Sequence, residues 1–280
     1  MRQAPPCPPL AEPEWLLPLL GTPGLVVLDA SIDRQVTAAG SRYGSGRAGF
    51  EAGHIPGALF ADLFGAFSDP DGRFPFTRPT AAALAAEAAR LGLSPEDTIV
   101  VCDSLNGVWA ARVRWVLKAF GARSVFVLNG GLAGWRAAGG AIATGPDSPP
   151  GGGTFRPRPV PGLFADTGDV LAILAGRQPG ALFCALRRAE FEAGHIPSSQ
   201  PLPYADLLDA AGRLDPGRLS ALLPAVPEGP LVLYCGGGVN AAGLALALEA
   251  RGRTDIAVYD GSLNEWKATP GLPLATGPGV

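Results

Sequence analysis

Residues 231–250 read LVLYCGGGVNAAGLALALEA. An apolar run at 231–234 meets Cys235 and a glycine-rich turn, and a stretch rich in alanine and leucine follows from Ala241 to Ala250. This order predicts a strand, a tight loop and a helix, with a thiol at the carboxyl end of the strand. Backbone N–H groups in such a loop converge, and the helix dipole adds partial positive charge there. This field stabilises a thiolate, so Cys235 is a candidate nucleophile; the alternative is a buried, inert cysteine.

The composition is that of a globular protein without a strong charge bias. The 280 residues are 47% hydrophobic and 17% charged, and 22 Lys and Arg stand against 25 Asp and Glu, a net charge of -3. Such a balance predicts neither nucleic acid nor a membrane surface as a partner. No apolar run approaches the roughly 20 residues of a membrane span. The N-terminus also lacks the pattern of a signal peptide.

The chain contains an internal repeat. The block Glu-Ala-Gly-His-Ile-Pro at 51–56 recurs at 192–197. In both halves a later apolar run ends at a polar or thiol residue, Asp103 in the first half and Cys235 in the second. A helical pattern, another apolar run and a glycine-containing turn then follow in the same order. Three blocks in one order indicate two homologous domains.

A segment dense in proline and glycine separates the two halves. Residues 144–162 cannot continue a helix or a central strand, and we expect an extended linker there. The first domain is predicted at 12–143 and the second at 163–280. In each half, β-branched runs alternate with helical patterns, which predicts an α/β fold with a parallel sheet and helices on both faces. Ligands of such sheets bind beyond the carboxyl ends of the strands, where Cys235 is expected.

With these blocks in place, the chain resembles the rhodanese family, specifically the two-domain thiosulfate and 3-mercaptopyruvate sulfurtransferases. The resemblance covers nearly the whole chain after about residue 12, and it includes Asn-Gly-Gly-Leu at 129–132 and Tyr-Asp-Gly-Ser at 259–262. It implies two tandem rhodanese-like domains, of which the second is catalytic. Asp103 at the matching position implies that the first domain is an inactive scaffold. The implied active-site loop consists of Cys235, Gly236, Gly237, Gly238, Val239 and Asn240.

The composition of this loop bears on the sulfur donor. Thiosulfate sulfurtransferases typically carry basic residues inside the loop, whereas mercaptopyruvate sulfurtransferases usually show Cys-Gly-Ser-Gly-Val-Thr. The present loop resembles the second type, with Gly237 in place of the serine and Asn240 in place of the threonine. The serine hydroxyl of the family is therefore absent.

The sequence departs from the family pattern before His195. Family members usually read Asp-Ala-Arg after the first strand of the second domain, and the arginine helps to bind the anionic substrate. Here residues 184–186 are Cys-Ala-Leu, and Arg187 and Arg188 follow. One or both arginines are candidates for substrate binding. The alternative is that both are solvated surface charges.

The chemistry that the resemblance implies is a two-step sulfur transfer. The Cys235 thiolate attacks the outer sulfur of 3-mercaptopyruvate or thiosulfate and holds it as a persulfide, and a thiol or cyanide then removes it. The partners are thus a small anionic sulfur donor and a thiophilic acceptor. The alternative is a non-catalytic or weakly active sulfur-relay or binding module of the same fold. A cysteine phosphatase is disfavoured, because that chemistry requires an arginine after the loop and Ala241 stands there.

The two histidines and two of the tryptophans recur between the halves. The first half keeps His54 although it has no cysteine at the loop, which predicts a structural role for both His54 and His195. Each is expected to tie a turn by hydrogen bonds. Trp135 and Trp266 recur likewise and are predicted to lie in the core.

The remaining cysteines are Cys7, Cys102 and Cys184. Cys102 and Cys184 lie within strand patterns and are expected to be buried, whereas Cys7 stands between prolines and is expected to be exposed. No Cys-x-x-Cys spacing occurs and the chain has only two histidines, so we predict no metal site and no cofactor. A reduced, cytoplasmic protein is the expectation. Nothing in the sequence indicates an oligomeric state.

Overall fold

The computed structural model describes residues 9–37 and 40–279. The described chain forms two compact units, which we call unit 1 and unit 2. Unit 1 takes in the described residues up to Pro70, Arg78–Val160 and Ala211–Arg213, and unit 2 takes in Asp71–Thr77, Pro161–Ala210 and the described residues from Leu214 onward. Each unit thus includes a short segment from the other half of the chain. No motif indicated these two segments, because both are too short to show a reliable apolar period.

Unit 1 contains a five-stranded parallel sheet and a separate two-stranded antiparallel ribbon. Its strands are β1 (Leu10–Ala11), β2 (Leu25–Asp29), β3 (Ile32–Thr37), β4 (Gly40–Ser45), β5 (Leu59–Phe60), β6 (Thr98–Cys102) and β7 (Ser124–Leu128). Its α-helices are α1 (Pro13–Leu16), α2 (Arg47–Ala52), α3 (Ala81–Leu91), α4 (Val108–Ala119) and α5 (Gly131–Ala137). The sheet has the order β1-β7-β6-β2-β5, with β6 at its centre.

The elements of unit 1 follow from their sequences. Val100 and Val101 of β6 are fully buried, as continuous apolar residues are in a parallel strand that is covered on both faces. Helix α3 begins where the Thr80 hydroxyl accepts a hydrogen bond from the Ala83 N–H at 3.1 Å. It ends at Gly92, whose φ of 75° is left-handed.

The ribbon of β3 and β4 was not predicted from the sequence. Its register pairs Ile32 with Ser45 and Thr37 with Gly40. Most of its side chains are polar and exposed, and Val36 is 76% exposed. Apolar periodicity therefore gives no signal for these two strands.

Unit 2 repeats the main sheet of unit 1 without the ribbon. Its strands are β8 (Phe164–Ala165), β9 (Ala181–Cys184), β10 (Gln200–Pro201), β11 (Leu231–Tyr234) and β12 (Ile256–Tyr259). Its α-helices are α6 (Thr167–Leu174), α7 (Arg188–Ala193), α8 (Pro216–Leu222), α9 (Val239–Glu249) and α10 (Ser262–Ala268). The order β8-β12-β11-β9-β10 is parallel throughout and matches that of unit 1, so β11 takes the central place of β6.

Helix α9 follows the central strand of unit 2. It begins at Val239, two residues before the predicted start at Ala241, because Gly238 already takes the left-handed N-cap conformation. Val239 and every residue from Ala241 to Leu248 are buried, as expected of a helix that is apolar on all sides.

The structural roles predicted for the recurring histidines and tryptophans are confirmed. Nδ1 of His54 donates to the Phe50 carbonyl at 2.8 Å, and Nδ1 of His195 donates to the Phe191 carbonyl at 3.0 Å. Each imidazole also stacks on that phenylalanine ring, with centroids 4.0 and 3.8 Å apart. The indole N–H groups of the buried Trp135 and Trp266 donate to backbone carbonyls at 2.8 and 2.7 Å.

Residues 144–160 form neither helix nor strand and run along unit 1. Backbone hydrogen bonds join this stretch to unit 1, among them Gly153 N–H to the Ala89 carbonyl and Val160 N–H to the Ala119 carbonyl. Asp147 accepts from the Phe60 N–H at 3.1 Å and forms an ion pair with Arg47.

The predicted α/β fold of two parallel sheets flanked by helices is confirmed. Within residues 9–37 and 40–279, no helix is long and apolar enough to cross a membrane. The same residues contain no cluster of three or more histidine, cysteine or acidic side chains that could hold a metal ion.

Candidate active site

Cys235 lies directly after β11, at the carboxyl edge of the sheet of unit 2, and is 2% exposed. Its backbone N–H and its backbone carbonyl are both hydrogen-bonded. The Cys235 N–H donates to the Ser262 hydroxyl at 3.2 Å, and the Cys235 carbonyl accepts from the Leu263 N–H at 3.0 Å. The first turn of α10 therefore holds the backbone of the predicted nucleophile.

Ser262 is the residue of this contact that sequence reasoning missed. It is fully buried, and its hydroxyl also donates to the Tyr259 carbonyl at 2.8 Å. Its φ of 51° is left-handed, which is rare for a residue other than glycine. The matching position in unit 1 is Gly131, with a φ of 52°. The first block has glycine at this position and the second block has serine, and this difference was the only sequence feature that pointed to Ser262.

The loop after Cys235 is shorter than predicted, because Val239 and Asn240 belong to the first turn of α9. Gly238 precedes the helix with φ 78° and ψ -4°. This conformation is accessible to glycine without steric cost. It directs the N-terminus of α9 toward the edge of the sheet that carries Cys235, where the positive end of a helix dipole stabilises an anion.

The corresponding loop of unit 1 is filled by its own carboxylate. Oδ1 of Asp103 accepts from the N–H groups of Leu105 and Gly107 at 2.8 and 3.0 Å. Oδ2 accepts from those of Trp109 and Ala110 at 3.1 and 3.0 Å. Burial raises the pKa of Asp103, while these backbone hydrogen bonds oppose the rise. The loop between β6 and α4 is therefore an anion cradle whose amides are occupied.

The other described cysteines are poor nucleophiles. Cys102 and Cys184 are fully buried, as predicted. Burial raises the pKa of Cys184 to about 12, and burial together with Asp29 and Asp103 raises the pKa of Cys102 well above its usual range. Both are neutral thiols at pH 7. Cys7 lies outside the described residues.

The segment Asp71–Thr77 lies against the active-site loop within unit 2. A Cβ added to Gly237 would stand 3.3 Å from the Pro75 carbonyl oxygen, 3.7 Å from the Phe76 ring and 3.2 Å from Nδ2 of Asn264. Phe76 has a φ of 64°, a strained conformation of the kind that accumulates at functional sites. No sequence signal indicated this contact, since these residues lie about 160 positions before the loop.

The structure places Arg187 and Arg188 at the same edge of the sheet as Cys235. Tyr234 pairs with Cys184 in the register of β11 and β9, so Ala185 lies beside Cys235 and the arginines follow. Both arginine side chains are exposed. The Arg187 N–H donates to the Glu190 carboxylate at 3.2 Å, which fixes the start of α7.

Comparison with known proteins identifies the fold and its relatives. The rhodanese-like domain family matches residues 12–138 and 180–269. A probable 3-mercaptopyruvate sulfurtransferase of Pseudomonas aeruginosa is 36% identical over 96% of this chain and 98% of its own length. The mitochondrial thiosulfate/3-mercaptopyruvate sulfurtransferase 1 of Arabidopsis thaliana is 30% identical over 95% of this chain and 78% of its own.

A solved structure agrees with these matches. The crystal structure of SseA from Escherichia coli, described with the rhodanese fold of 3-mercaptopyruvate sulfotransferases, superimposes with a TM-score of 0.80. It is 27% identical, and the match covers 90% of this chain and 98% of SseA. The resemblance inferred from the repeated blocks is thus confirmed over both halves. The chain belongs to the rhodanese-like family and, within it, to the two-domain sulfurtransferases.

Proposed function

We propose that the chain transfers a sulfur atom from a small anionic donor to a thiol or cyanide through a persulfide on Cys235. The observation that carries this proposal is the anion cradle of unit 1. Four backbone N–H groups bind the Asp103 carboxylate there. The loop at the equivalent position in unit 2 carries a thiol where unit 1 has the carboxylate. Amides that bind a carboxylate also stabilise a thiolate or a persulfide anion.

Each half-reaction balances without a cofactor. With 3-mercaptopyruvate, the Cys235 thiolate attacks the donor sulfur and a sulfur–sulfur bond forms as the carbon–sulfur bond breaks. The electron pair leaves with the pyruvate fragment as its enolate, which then takes up a proton. An acceptor thiolate attacks the outer sulfur of the persulfide, the sulfur–sulfur bond breaks, and the Cys235 thiolate returns.

We favour 3-mercaptopyruvate over thiosulfate as the better donor. The loop from Cys235 to Asn240 contains no lysine or arginine, so no full positive charge in it attracts a dianion. Arg187 and Arg188 are the candidate contacts for the donor's carboxylate, since they follow β9 at the edge that carries Cys235. The alternative function is a sulfur relay that keeps the persulfide but does not turn over small donors. The exposure of both arginines favours it.

The decisive experiment measures pyruvate and sulfide release from 3-mercaptopyruvate with a thiol acceptor, beside thiocyanate formation from thiosulfate and cyanide. Wild type is compared with Cys235→Ser and with Arg187→Ala/Arg188→Ala; the double variant Arg177→Ala/Arg251→Ala, at two exposed arginines, is the control for the loss of two charges. We expect turnover that Cys235→Ser abolishes, and a raised KM in the double arginine variant only. Absence of turnover in folded wild type would refute the enzyme in favour of the relay.

Three further statements stay proposals. We propose that the two units derive from one duplicated domain, which the common strand order and the repeated Glu-Ala-Gly-His-Ile-Pro block support. The domain boundaries at 12–143 and 163–280, with the linker between them, and the cytoplasmic location stay predictions. Proteolysis at the linker, followed by mass measurement of the fragments, tests the boundaries.

A further inference from the structure

Asn264 lies beside the active-site loop, although no motif of the sequence singled it out. It is the third residue of α10, and its N–H donates to the Gly236 carbonyl at 2.9 Å. Its side chain is exposed. Nδ2 lies 3.2 Å from the position that a Cβ atom on Gly237 would occupy. The carboxamide thus lies against the second residue after the nucleophile, and a backbone hydrogen bond fixes its Cα there.

The first two glycines of the loop differ in their surroundings. A Cβ on Gly236 would meet no atom within 4 Å, whereas one on Gly237 would meet the Asn264 amide and the Pro75 carbonyl oxygen at 3.3 Å. The space beside Gly237 is therefore bounded by one side-chain donor, one backbone acceptor and the Phe76 ring. Of these three groups, only the carboxamide can donate an N–H hydrogen bond to an anion. Among the described residues, no protein group accepts a hydrogen bond from Asn264 Nδ2, so its donors are available to a ligand.

We propose that Asn264 is a specificity-determining residue that donates a hydrogen bond to the oxygen atoms of the sulfur donor bound at Cys235. The proposal rests on the proposed function and deepens it. A neutral amide satisfies a carboxylate or keto oxygen without supplying a charge. A dianion gains more binding free energy from a full positive charge than a monoanion does. The lack of such a charge on Asn264 therefore weakens the binding of a dianion more than the binding of a donor with one negative charge. Asn264 accordingly favours 3-mercaptopyruvate over thiosulfate.

The test compares kcat and KM for both donors in Asn264→Ala, Asn264→Asp and Asn264→Lys. Lys267→Ala is the matched control, because it is exposed on the same helix and changes the net charge by the same amount as Asn264→Asp. Loss of one hydrogen bond in Asn264→Ala should raise KM for 3-mercaptopyruvate about 3- to 10-fold, with a smaller change in kcat. The ratio of kcat/KM for thiosulfate to that for 3-mercaptopyruvate should fall in Asn264→Asp and rise at least about threefold in Asn264→Lys.

A second readout does not depend on turnover. Peptide mass spectrometry follows alkylation of Cys235 by iodoacetate, which is an anion, and by iodoacetamide, which is neutral and of similar size. Asn264→Asp should lower the ratio of the iodoacetate rate to the iodoacetamide rate, and Asn264→Lys should raise it. Lys267→Ala should leave the ratio within about twofold of wild type, because Lys267 Nζ lies beside Gly194 whereas Asn264 Nδ2 lies beside Gly237.

The outcomes separate the two proposals. If wild type turns over neither donor but the alkylation ratio responds to Asn264 as expected, the proposed function fails and the anion contact stands. If the Asn264 variants leave both the donor ratio and the alkylation ratio within about twofold of wild type, the role of Asn264 is refuted while the sulfurtransferase stands. A uniform fall of kcat for both donors with an unchanged donor ratio would also refute it, since that pattern marks a merely structural residue.

Discussion

At the scale of the residue, the backbone of the proposed nucleophile, Cys235, depends on one buried hydroxyl. Ser262 accepts from the Cys235 N–H and donates to the Tyr259 carbonyl, so the end of β11 is tied to the end of β12. This arrangement places Ser262 in a left-handed conformation, which costs about 1–2 kcal/mol for residues other than glycine. The cost is tolerated because the hydroxyl satisfies the buried N–H of Cys235.

Replacement of this hydroxyl should destabilise unit 2. Ser262→Ala leaves the Cys235 N–H without its acceptor, and we expect a loss of about 1–3 kcal/mol in the free energy of unfolding. Ser262→Gly loses the same hydrogen bonds but relieves the backbone, so it should be more stable than Ser262→Ala by about 1 kcal/mol. Urea unfolding of the three proteins measures both differences. Equal stability of Ser262→Ala and wild type would contradict the role of the hydroxyl.

Gly236 and Gly237, the first two of the three glycines after Cys235, provide a matched pair. Gly237→Ala should displace the Asn264 carboxamide by a few tenths of an ångström, because its Cβ would stand 3.2 Å from Nδ2. Gly236→Ala meets open space and serves as the control. Neither glycine has a positive φ, so strain does not separate them. We expect Gly237→Ala to raise KM for 3-mercaptopyruvate by about 3-fold or more relative to Gly236→Ala. Equal KM values in steady-state assays would show that crowding at Gly237 does not matter.

At the scale of the element, the start of α9 sets the length of the active-site loop. Gly238 takes φ 78° immediately before Val239, and Gly107 takes φ 83° immediately before Val108 in unit 1. Gly238 is the third residue after Cys235, whereas Gly107 is the fourth residue after Asp103. The additional residue gives unit 1 room for a carboxylate, whose two oxygens both accept hydrogen bonds.

Gly238 should be needed for activity as well as for stability. Gly238→Ala imposes a left-handed conformation on a residue with a Cβ, and we expect a loss of about 1 kcal/mol or more in the free energy of unfolding. Gly252, which follows α9, has a similar φ of 86° and open space around it. Gly252→Ala is therefore a control that introduces a similar backbone strain away from the active-site loop. Both variants should lose stability in thermal or urea unfolding, but only Gly238→Ala should lose kcat/KM. Similar losses of activity in both would point to global destabilisation alone.

At the scale of the whole molecule, the stability of the protein should depend on pH through two carboxyl groups of unit 1 with opposite shifts. Burial raises the pKa of Asp29 above its usual value of about 4. For Asp147, burial alone would raise the pKa, but the Phe60 N–H and the Arg47 guanidinium outweigh it and lower the pKa. A raised carboxyl pKa costs stability as pH rises through the folded-state value, whereas a lowered one contributes stability that is lost as pH falls through the folded-state value.

The matching amide variants should therefore respond to pH in opposite senses. Asp29→Asn removes a buried charge, so its stability relative to wild type should improve as pH rises from about 4 to 7. Asp147→Asn breaks the contact with Arg47 and should cost about 1–2 kcal/mol at pH 7, less near pH 3. Urea unfolding at a series of pH values gives both curves. Parallel curves for the two variants would contradict the assigned pKa shifts.

The sequence alone determined the elements whose signals are local. The apolar run before Cys235, the glycines after it and the repeated Gly-His-Ile-Pro block were sufficient to predict the fold class, the structural histidines and the family. Burial of β-branched runs and the conformational freedom of glycine act over a few neighbouring residues, so such signals can be seen in a single chain. The start of α9 was missed by two residues, because the left-handed Gly238 cannot be told from its neighbours by sequence.

Only the tertiary structure decided which distant groups meet at the candidate active site. The hydrogen bond from Cys235 to Ser262, the contact of Asn264 with Gly237 and the approach of Pro75 to the loop join residues that are far apart in the chain. None of these side chains has a periodicity or a spacing that points to its partner. The parallel sheet brings the ends of its strands to one edge, and close packing there selects the contacts. The repeated blocks thus specify where the site is built, and the packing around them specifies which groups complete it.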